Sequence, residues 1–398
     1  MDNLFDKQNY RRKIENIITK LRENMYKRIL EQTITKRFFK GKIIIIVGPR
    51  QTGKTTLSLK LIERIDKKDI RLFNCDNPSD REQLANKDLE FLKQLIGNAK
   101  LIFIDEAQKV ENIGETLKLL VDFYKKKKQI IATGSSSLNL LDNTQESLTG
   151  RKYVYQIFPL TLQEIYPDKN YLKVIKELEN LIIFGSYPEV VSLPSFEEKK
   201  ELLKELASSY IYKDILGFQD IKSPDVLVKL LKALALQVGS EVSYNELSNT
   251  VDIDKKTIER YVQLLEKNFV IFRLKPFTKN KRREISKLKK IYFYDTGIRN
   301  AIINDFNFLD SRKDTGFLWE NFMIAERMKF RYYNKIDAEQ YFWRTYDGSE
   351  IDLIEEKSGK LNGYEFKWNP KRGIKKQKFD WLDSFNLITK KDLSLFVF

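Results

Sequence analysis

Short, wholly apolar runs alternate along this chain with longer stretches of helical spacing. From residue 42, KIIIIVGPRQTGKTTLSLKLIERI opens on an apolar run, passes a Gly-bounded turn, and continues with Leu57, Leu61 and Ile62 one helical turn apart. Strand, loop and helix are predicted in that order. Two more buried strands are predicted in LIFIDEAQ and QIIATGSSS. Residues 243–267 predict two short helices, the first opened by a capping box of Ser243 and Glu246. Asp254 caps the second, whose apolar face holds Ile258, Tyr261, Val262 and Leu265. FVIFRLKPFTKNKRREISKLKKIYFYD then reads as two strands around a basic loop. From Gly316 the pattern predicts a helix (FLWENFMIAERMKF), three strands (QYFWRTYD, EIDLIEE, LNGYEFKW), a helix (KKQKFDWLDSF) and a last strand (LSLFVF).

Composition narrows the chemistry. The 398 residues, 42% hydrophobic and 12% aromatic, suffice for two or three packed domains. The longest apolar run is far too short to span a bilayer, and the N-terminus has no signal-peptide core, so a cytoplasmic protein without membrane partners is expected. A single Cys75 fits a reducing compartment. The absence of histidine removes His-ligated zinc, His general bases and Ser-His-Asp triads, leaving carboxylates, lysine and metal for any hydrolysis. The net charge of +16 has two readings: a polyanionic partner such as nucleic acid, or the Lys-rich usage of an AT-rich genome.

GPRQTGKT fits G-x-x-x-x-G-K-[ST], a loop whose backbone N–H groups cradle phosphates at a helix N-terminus. Gly48, Gln51, Gly53, Lys54, Thr55 and Thr56 are the candidate nucleotide contacts, with Lys54 on the outer phosphates and Thr55 on magnesium. About 50 residues on, LIFIDEAQ ends in two acids. Asp105 is the candidate metal-side acid and Glu106 the water activator. Thr133 and Ser135, on the third strand, are alternative phosphate sensors.

The order GPRQTGKTTL, LIFIDEAQ, ATGSSSLNLL, LTGRKYVYQIFPLTLQEI and FGSYPEVV resembles predicted AAA+ superfamily ATPases of archaea and bacteria, over essentially the whole chain from Tyr26. That resemblance implies an AAA+-like core, with the acid-bearing and sensor strands beside the phosphate-loop strand, and a short helical lid. Arg151 is similar to a position from which such ATPases reach a neighbouring subunit's phosphate; a surface or lid-anchoring arginine is the other reading. The lid region has no clear second sensor arginine.

The two helices of 243–267 resemble a winged helix-turn-helix, with Lys255 and Lys256 outward on the second helix. Eight basic residues lie from Lys275 to Lys290 against one acid, Glu284. Lys279, Lys281, Arg282 and Arg283 would make a wing that contacts phosphates without reading bases. A solvated loop on a spacer module is the alternative.

The C-terminal αβββαβ order resembles the core of the PD-(D/E)XK nucleases. Asp352 matches the first motif acid, Glu365 and Lys367 match E-x-K, and Glu320 matches the helical acid of the branch similar to Holliday-junction resolvases. Chemistry supports that spacing, since two carboxylates on adjacent strands can hold a hard cation and a lysine two positions on can activate water. Glu365 and Lys367 share one strand face opposite Tyr364, Phe366 and Trp368, so they also fit a solvated outer face. Glu320 lies on the side of Phe317, Met323 and Ile324, where an unpartnered carboxylate is costly.

An α/β chain is expected: a helical segment (1–40), a P-loop AAA+-like core (41–165), a helical lid (166–225), a winged helix-turn-helix (226–290) and a PD-(D/E)XK nuclease-like domain (291–398). ATP and Mg2+ are the expected cofactors, with nucleic acid, DNA favoured, as partner and a homo-oligomer as one arrangement. The expected function couples ATP hydrolysis to DNA processing, with branched or broken DNA as one substrate form, by a metal-dependent nuclease; the alternative is an ATP-driven regulatory switch or DNA-binding scaffold with an inactive nuclease-like domain.

Overall fold

The computed structural model describes residues 26–135, 148–209, 224–278, 288–345, 348–370 and 379–398. The chain divides into two compact units, Met1–Ile157 and Phe158–Phe398.

The first unit is built on five parallel strands: β1 (Ile43–Val47), β2 (Ile70–Asn74), β3 (Leu101–Asp105), β4 (Gln129–Gly134) and β5 (Lys152–Gln156). Their order in the sheet is β2-β3-β4-β1-β5. A parallel sheet covered on both faces needs unbroken apolar strands, and every residue of β1, β3 and β4 is buried. β4 lies between β1 and β3, so the strand carrying Thr133 separates the phosphate-loop strand from the acid-bearing one. Helices α1 (Leu30–Thr35), α2 (Lys54–Ile62) and α3 (Ile113–Tyr124) belong to this unit.

In the second unit, α4 (Tyr171–Phe184), α5 (Phe196–Ser209) and α6 (Pro224–Leu236) precede a short strand β6 (Glu241–Val242). Helices α7 (Tyr244–Val251) and α8 (Lys255–Lys267) follow, and then β7 (Ile271–Pro276) and β8 (Lys289–Phe293). The Ser243 hydroxyl accepts from the Glu246 N–H and the Asp254 carboxylate from the Thr257 N–H, so both helices begin where their capping residues stand. Helices α9 (Thr296–Ile303) and α10 (Thr315–Asn334) lead into β9 (Glu339–Arg344), β10 (Glu350–Lys357), β11 (Lys360–Phe366) and β12 (Ser384–Ile388).

One seven-stranded sheet, β12-β11-β10-β9-β7-β8-β6, runs through this unit. It is joined where β7 pairs in parallel with β9, Lys275 opposite Tyr341 and Pro276 opposite Phe342. One core unites the sheet with the helices: Leu178, Phe184 and Leu203 from the region read as a lid are buried in the same cluster as Leu230, Tyr292 and Trp319.

The chain end differs from expectation. LSLFVF is a helix, α11 (Leu393–Val397), and the last strand is SFNLI. So short a segment, five apolar residues and Ser394, does not distinguish strand from buried helix by periodicity. Here Thr389 and Asp392 form a capping box that starts helical turns, and Phe396 packs edge-on to Tyr364 and Phe366. Of the helix expected over KKQKFDWLDSF, residues before Phe379 lie outside the described residues, and Phe379–Asp383 make turns before β12. Among the described residues the last strand therefore lies earlier than expected, at Ser384–Ile388, and a helix follows it.

Candidate functional sites

The phosphate loop runs from Gly48 to Gly53, between β1 and α2. A Cβ on Gly48 would lie 2.1 Å from the Ile157 carbonyl oxygen, so only glycine fits there. Gly53 takes φ +88° to start α2, and Gln51 is also left-handed at φ 55°. Lys54, 5% exposed, donates from Nζ to the carbonyls of Gly48 (3.0 Å) and Pro49 (2.7 Å). From the segment before α1, Arg28 donates to the Thr52 carbonyl at 2.8 Å; the expected contacts did not include it.

β3 and β4 bring the acids to this loop. The Thr55 hydroxyl donates to Asp105, with both carboxylate oxygens at 3.0 Å, although fifty positions separate the two residues. The Thr133 hydroxyl donates to Asp105 and accepts from the Glu106 N–H at 3.1 Å. Burial raises the Asp105 carboxyl above its ordinary range, partly opposed by the Thr133 hydrogen bond. Glu106 sits at φ 53°, and its carboxylate accepts from Gln108 at 2.6 Å. The same Gln108 amide donates to the Ser135 hydroxyl at 3.0 Å, and Gln108 Oε1 is buried with no partner among the described residues. Gln108 links the two candidate roles, and only its place after the acids hinted at it. The hydroxyl and carboxylate oxygens of Thr55 and Asp105 are the hard donors that magnesium takes, so this pair fits that ion. Thr56, on the first turn of α2, is half-buried. Arg151 lies on the surface of its unit, its Nε donating to Asp122 at 2.6 Å.

The second cluster is in the other unit. A bulge in β10 between Ile351 and Ile354 inserts one residue relative to β9. Ile351 and Ile354 lie in one small cluster and Leu353 in the main core, which places the irregularity at Asp352. Asp352 Oδ2 accepts the Phe366 N–H at 2.7 Å. Burial, reinforced by the Glu320 charge, pushes its carboxyl up to about 8. Glu320, on α10, is buried as its place beside Met323 and Ile324 predicts, while Phe317 is exposed. It is not unpartnered: Glu320 Oε1 accepts from Tyr292 Oη at 2.6 Å and from Lys290 Nζ at 3.0 Å.

Lys290, counted with the basic loop in the sequence, is 1% exposed and also pairs with Glu350. Burial opposes its charge, but the attraction of Glu320, Asp352 and Glu350 outweighs it and holds the ammonium well above the usual lysine range. Lys290 and Tyr292 share one strand face by period-two alternation; that lysine beside IYF was the available signal. Lys367 pairs with Glu365 at 2.9 Å and feels the charges of Asp352 and Glu320. The aromatic row opposite packs inward as expected, Trp368 against Trp319. Asp352, Glu320 and Lys367 thus converge electrostatically, with Glu365 joined through Lys367. Among the described residues no group of three or more His, Cys, Asp or Glu side chains is arranged to hold a metal ion.

Lys255 and Lys256 are exposed at the start of α8. Lys279, Lys281, Arg282 and Arg283 lie outside the described residues. Among the described residues, no helix is long and apolar enough to cross a membrane.

Residues 40–166 match a family model described as an AAA domain. Residues 175–308 and 315–394 match models described as Domain of unknown function (DUF8612) and Domain of unknown function (DUF4143). An uncharacterized protein of Mycobacterium tuberculosis is 27% identical over 336 residues, 84% of this chain and 72% of that protein. One from Methanocaldococcus jannaschii is 27% identical over 349 residues, 82% of this chain and 75% of that protein. Among solved structures, AMPPCP-bound DnaA from Aquifex aeolicus aligns with 60% of this chain and 86% of its own, at 17% identity and a TM-score of 0.30. A STAND protein with a tetratricopeptide repeat sensor, from Pyrococcus horikoshii, aligns with 77% of this chain and 47% of its own, at 13% identity and a TM-score of 0.29. The chain carries an AAA-type P-loop domain followed by two regions similar to families of unknown function.

Proposed function

We propose that this chain is a magnesium-dependent ATPase whose nucleotide cycle works as a switch on nucleic acid, DNA favoured, bound by the second unit. The observation that carries the ATPase reading is the meeting of Thr55 with Asp105 beneath a loop closed by Lys54. Magnesium, when bound, would be held by Thr55 and Asp105 and would neutralise phosphate charge. Lys54 exchanges its carbonyl partners for phosphate oxygens, and the backbone N–H groups from Gly48 through Thr56, Gln51 and Gly53 included, cradle the remaining phosphates. Glu106 takes the water's proton, and Gln108, bonded to both Glu106 and Ser135, links that acid to the sensor position. Thr133 orients Asp105, which favours Ser135 as the sensor. Arg151 acts on a second copy's phosphate only if the chain assembles, and its pairing with Asp122 favours the surface role.

Support for nucleic acid comes from the net charge and from Lys255 and Lys256 at the start of a capped helix. The test is ATP turnover by the purified chain with and without DNA. Turnover unaltered in both Lys54→Ala and Glu106→Gln would overturn the assignment.

A second reading is favoured by the convergence of Glu320, Asp352 and Lys367: cleavage of the bound strand, with Asp352 and Glu365 as metal-side acids and Lys367 as the water's partner. Linear, nicked and four-way DNA incubated with magnesium or manganese test it. Cleavage lost in Asp352→Ala supports it, and no cleavage on any substrate leaves the switch.

A further inference from the structure

Each carboxylate that a divalent ion would need at the second cluster already accepts from a donor of this chain through one of its oxygens or more. Glu320 Oε1 accepts from the Tyr292 hydroxyl and from the Lys290 ammonium. Asp352 Oδ2 accepts a backbone N–H. Glu350 is paired to Lys290 as well as lying near Arg344. A hard cation of the magnesium or calcium kind asks for six or more oxygens, whereas an ammonium is satisfied by three acceptors. The Lys290 side chain reaches this position from the interior of a sheet. Its Cα is paired with Glu241 on β6 and Leu274 on β7, and its Nζ lies 5.5 Å from the centre of the Phe342 ring. A buried lysine between two glutamates, with an aromatic face beside it, satisfies the charges that a metal would otherwise satisfy.

We propose that Lys290 is the resident cation of the C-terminal carboxylate cluster, standing where a divalent metal would bind, so that Glu320, Glu350 and Asp352 take up metal only when that ammonium is removed. This inference deepens the second reading, because it uses the same cluster, but it depends neither on cleavage nor on ATP turnover. Cleavage by this cluster then requires that Lys290 withdraw.

The test is Mn2+ binding to the full chain, followed by the loss of the free-ion electron paramagnetic resonance signal. All proteins carry Asp105→Asn, which removes the metal-side acid of the phosphate loop, and no nucleotide is added. Without further change, the chain and its Asp352→Asn variant should bind Mn2+ identically. Lys290→Met should gain one bound ion per chain, lost again when Asp352→Asn is added. An Mn2+ site present with Lys290 intact and abolished by Asp352→Asn or Glu320→Gln overturns the proposal. So does a folded Lys290→Met variant, verified by circular dichroism, that gains no ion. Should Lys290→Met fail to fold, Lys290→Gln, which keeps amide donors for Glu320 but carries no charge, takes its place with the same expected gain of one ion. DNA cleavage assayed in parallel distinguishes failure of this proposal from failure of the second reading: an ion gained only when Lys290 is replaced, with no cleavage, sinks only the latter.

Discussion

Lys54 and Lys290 are both buried, one in each unit, and both stand beside carboxylates, yet their hydrogen bonds differ in kind. Lys54 donates to two backbone carbonyls, which are neutral, and it lowers the Asp105 carboxyl only as the last of several influences. Lys290 donates to carboxylates on two elements, Glu320 and Glu350. A lysine bonded to neutral carbonyls exchanges those bonds for phosphate oxygens at small cost. One held by carboxylates has spent its charge inside the protein, and removing either side strands a buried ion. The same residue type therefore makes a ligand site in one unit and a neutralised cluster in the other.

The largest effects should fall on turnover in the first unit. Lys54→Ala should cut ATP hydrolysis about 100-fold or more by removing the charge aimed at the phosphates, with nucleotide binding lost. Glu106→Gln should keep nucleotide binding and lose about 100-fold in turnover. Steady-state hydrolysis and a fluorescent-nucleotide titration measure both, and neither variant should melt much earlier than the parent.

Stability, by contrast, should respond in the second unit. Lys290→Met should cost about 3–5 kcal/mol, the usual penalty for stranding buried partners of a broken ion pair. Denaturant midpoints measure this. A loss no greater than that of Lys54→Ala would erase the contrast between the two lysines.

Asp352 sharpens the comparison through pH. Its folded carboxyl is held up to about 8, against an unfolded value of about 3.9. A raised value means the folded state holds the proton more tightly. The stability so gained is complete below about pH 4 and lost as pH rises to about 8. Asp352→Asn, which carries no titrating proton, should flatten that decline in urea midpoints. A decline of equal slope in the variant would assign it to another group.

Smaller changes should follow at exposed positions. Replacing Lys255 and Lys256 by Ala should weaken nucleic-acid binding evenly across sequences and reduce the salt slope by about 0.9 per lost phosphate contact. Arg151→Ala should leave the melting temperature where it was, because the Arg151–Asp122 pair is solvent-exposed. A fall in turnover that grows with protein concentration would instead assign Arg151 to a neighbouring copy's site.

The first unit was far more legible than the second. Its strands are continuous apolar runs, its loop has fixed spacing, and its acids end a strand, so pattern and chemistry coincide in short windows. Arg28 and Gln108 escaped because neither belongs to a spaced motif. The caps at Ser243 and Asp254 were equally local and were read correctly as helix starts. In LSLFVF, five apolar residues and one serine carry no period long enough to tell helix from strand, and the capping box just upstream is the signal that does.

What the sequence determined by itself is whatever depends on neighbours along the chain: the phosphate loop, the capped helices, the inward turn of Glu320. Tertiary structure alone decided what Glu320 meets. Thirty positions of chain separate it from Lys290, and thirty more separate it from Glu350. Nothing in those intervals indicates that β8 joins the sheet of β9 to β12 through β7, which is what buries a lysine of the basic stretch among acids. Charge on a strand looks alike in sequence whether it faces water or a carboxylate, because the cost of burial exists only once another element covers that face.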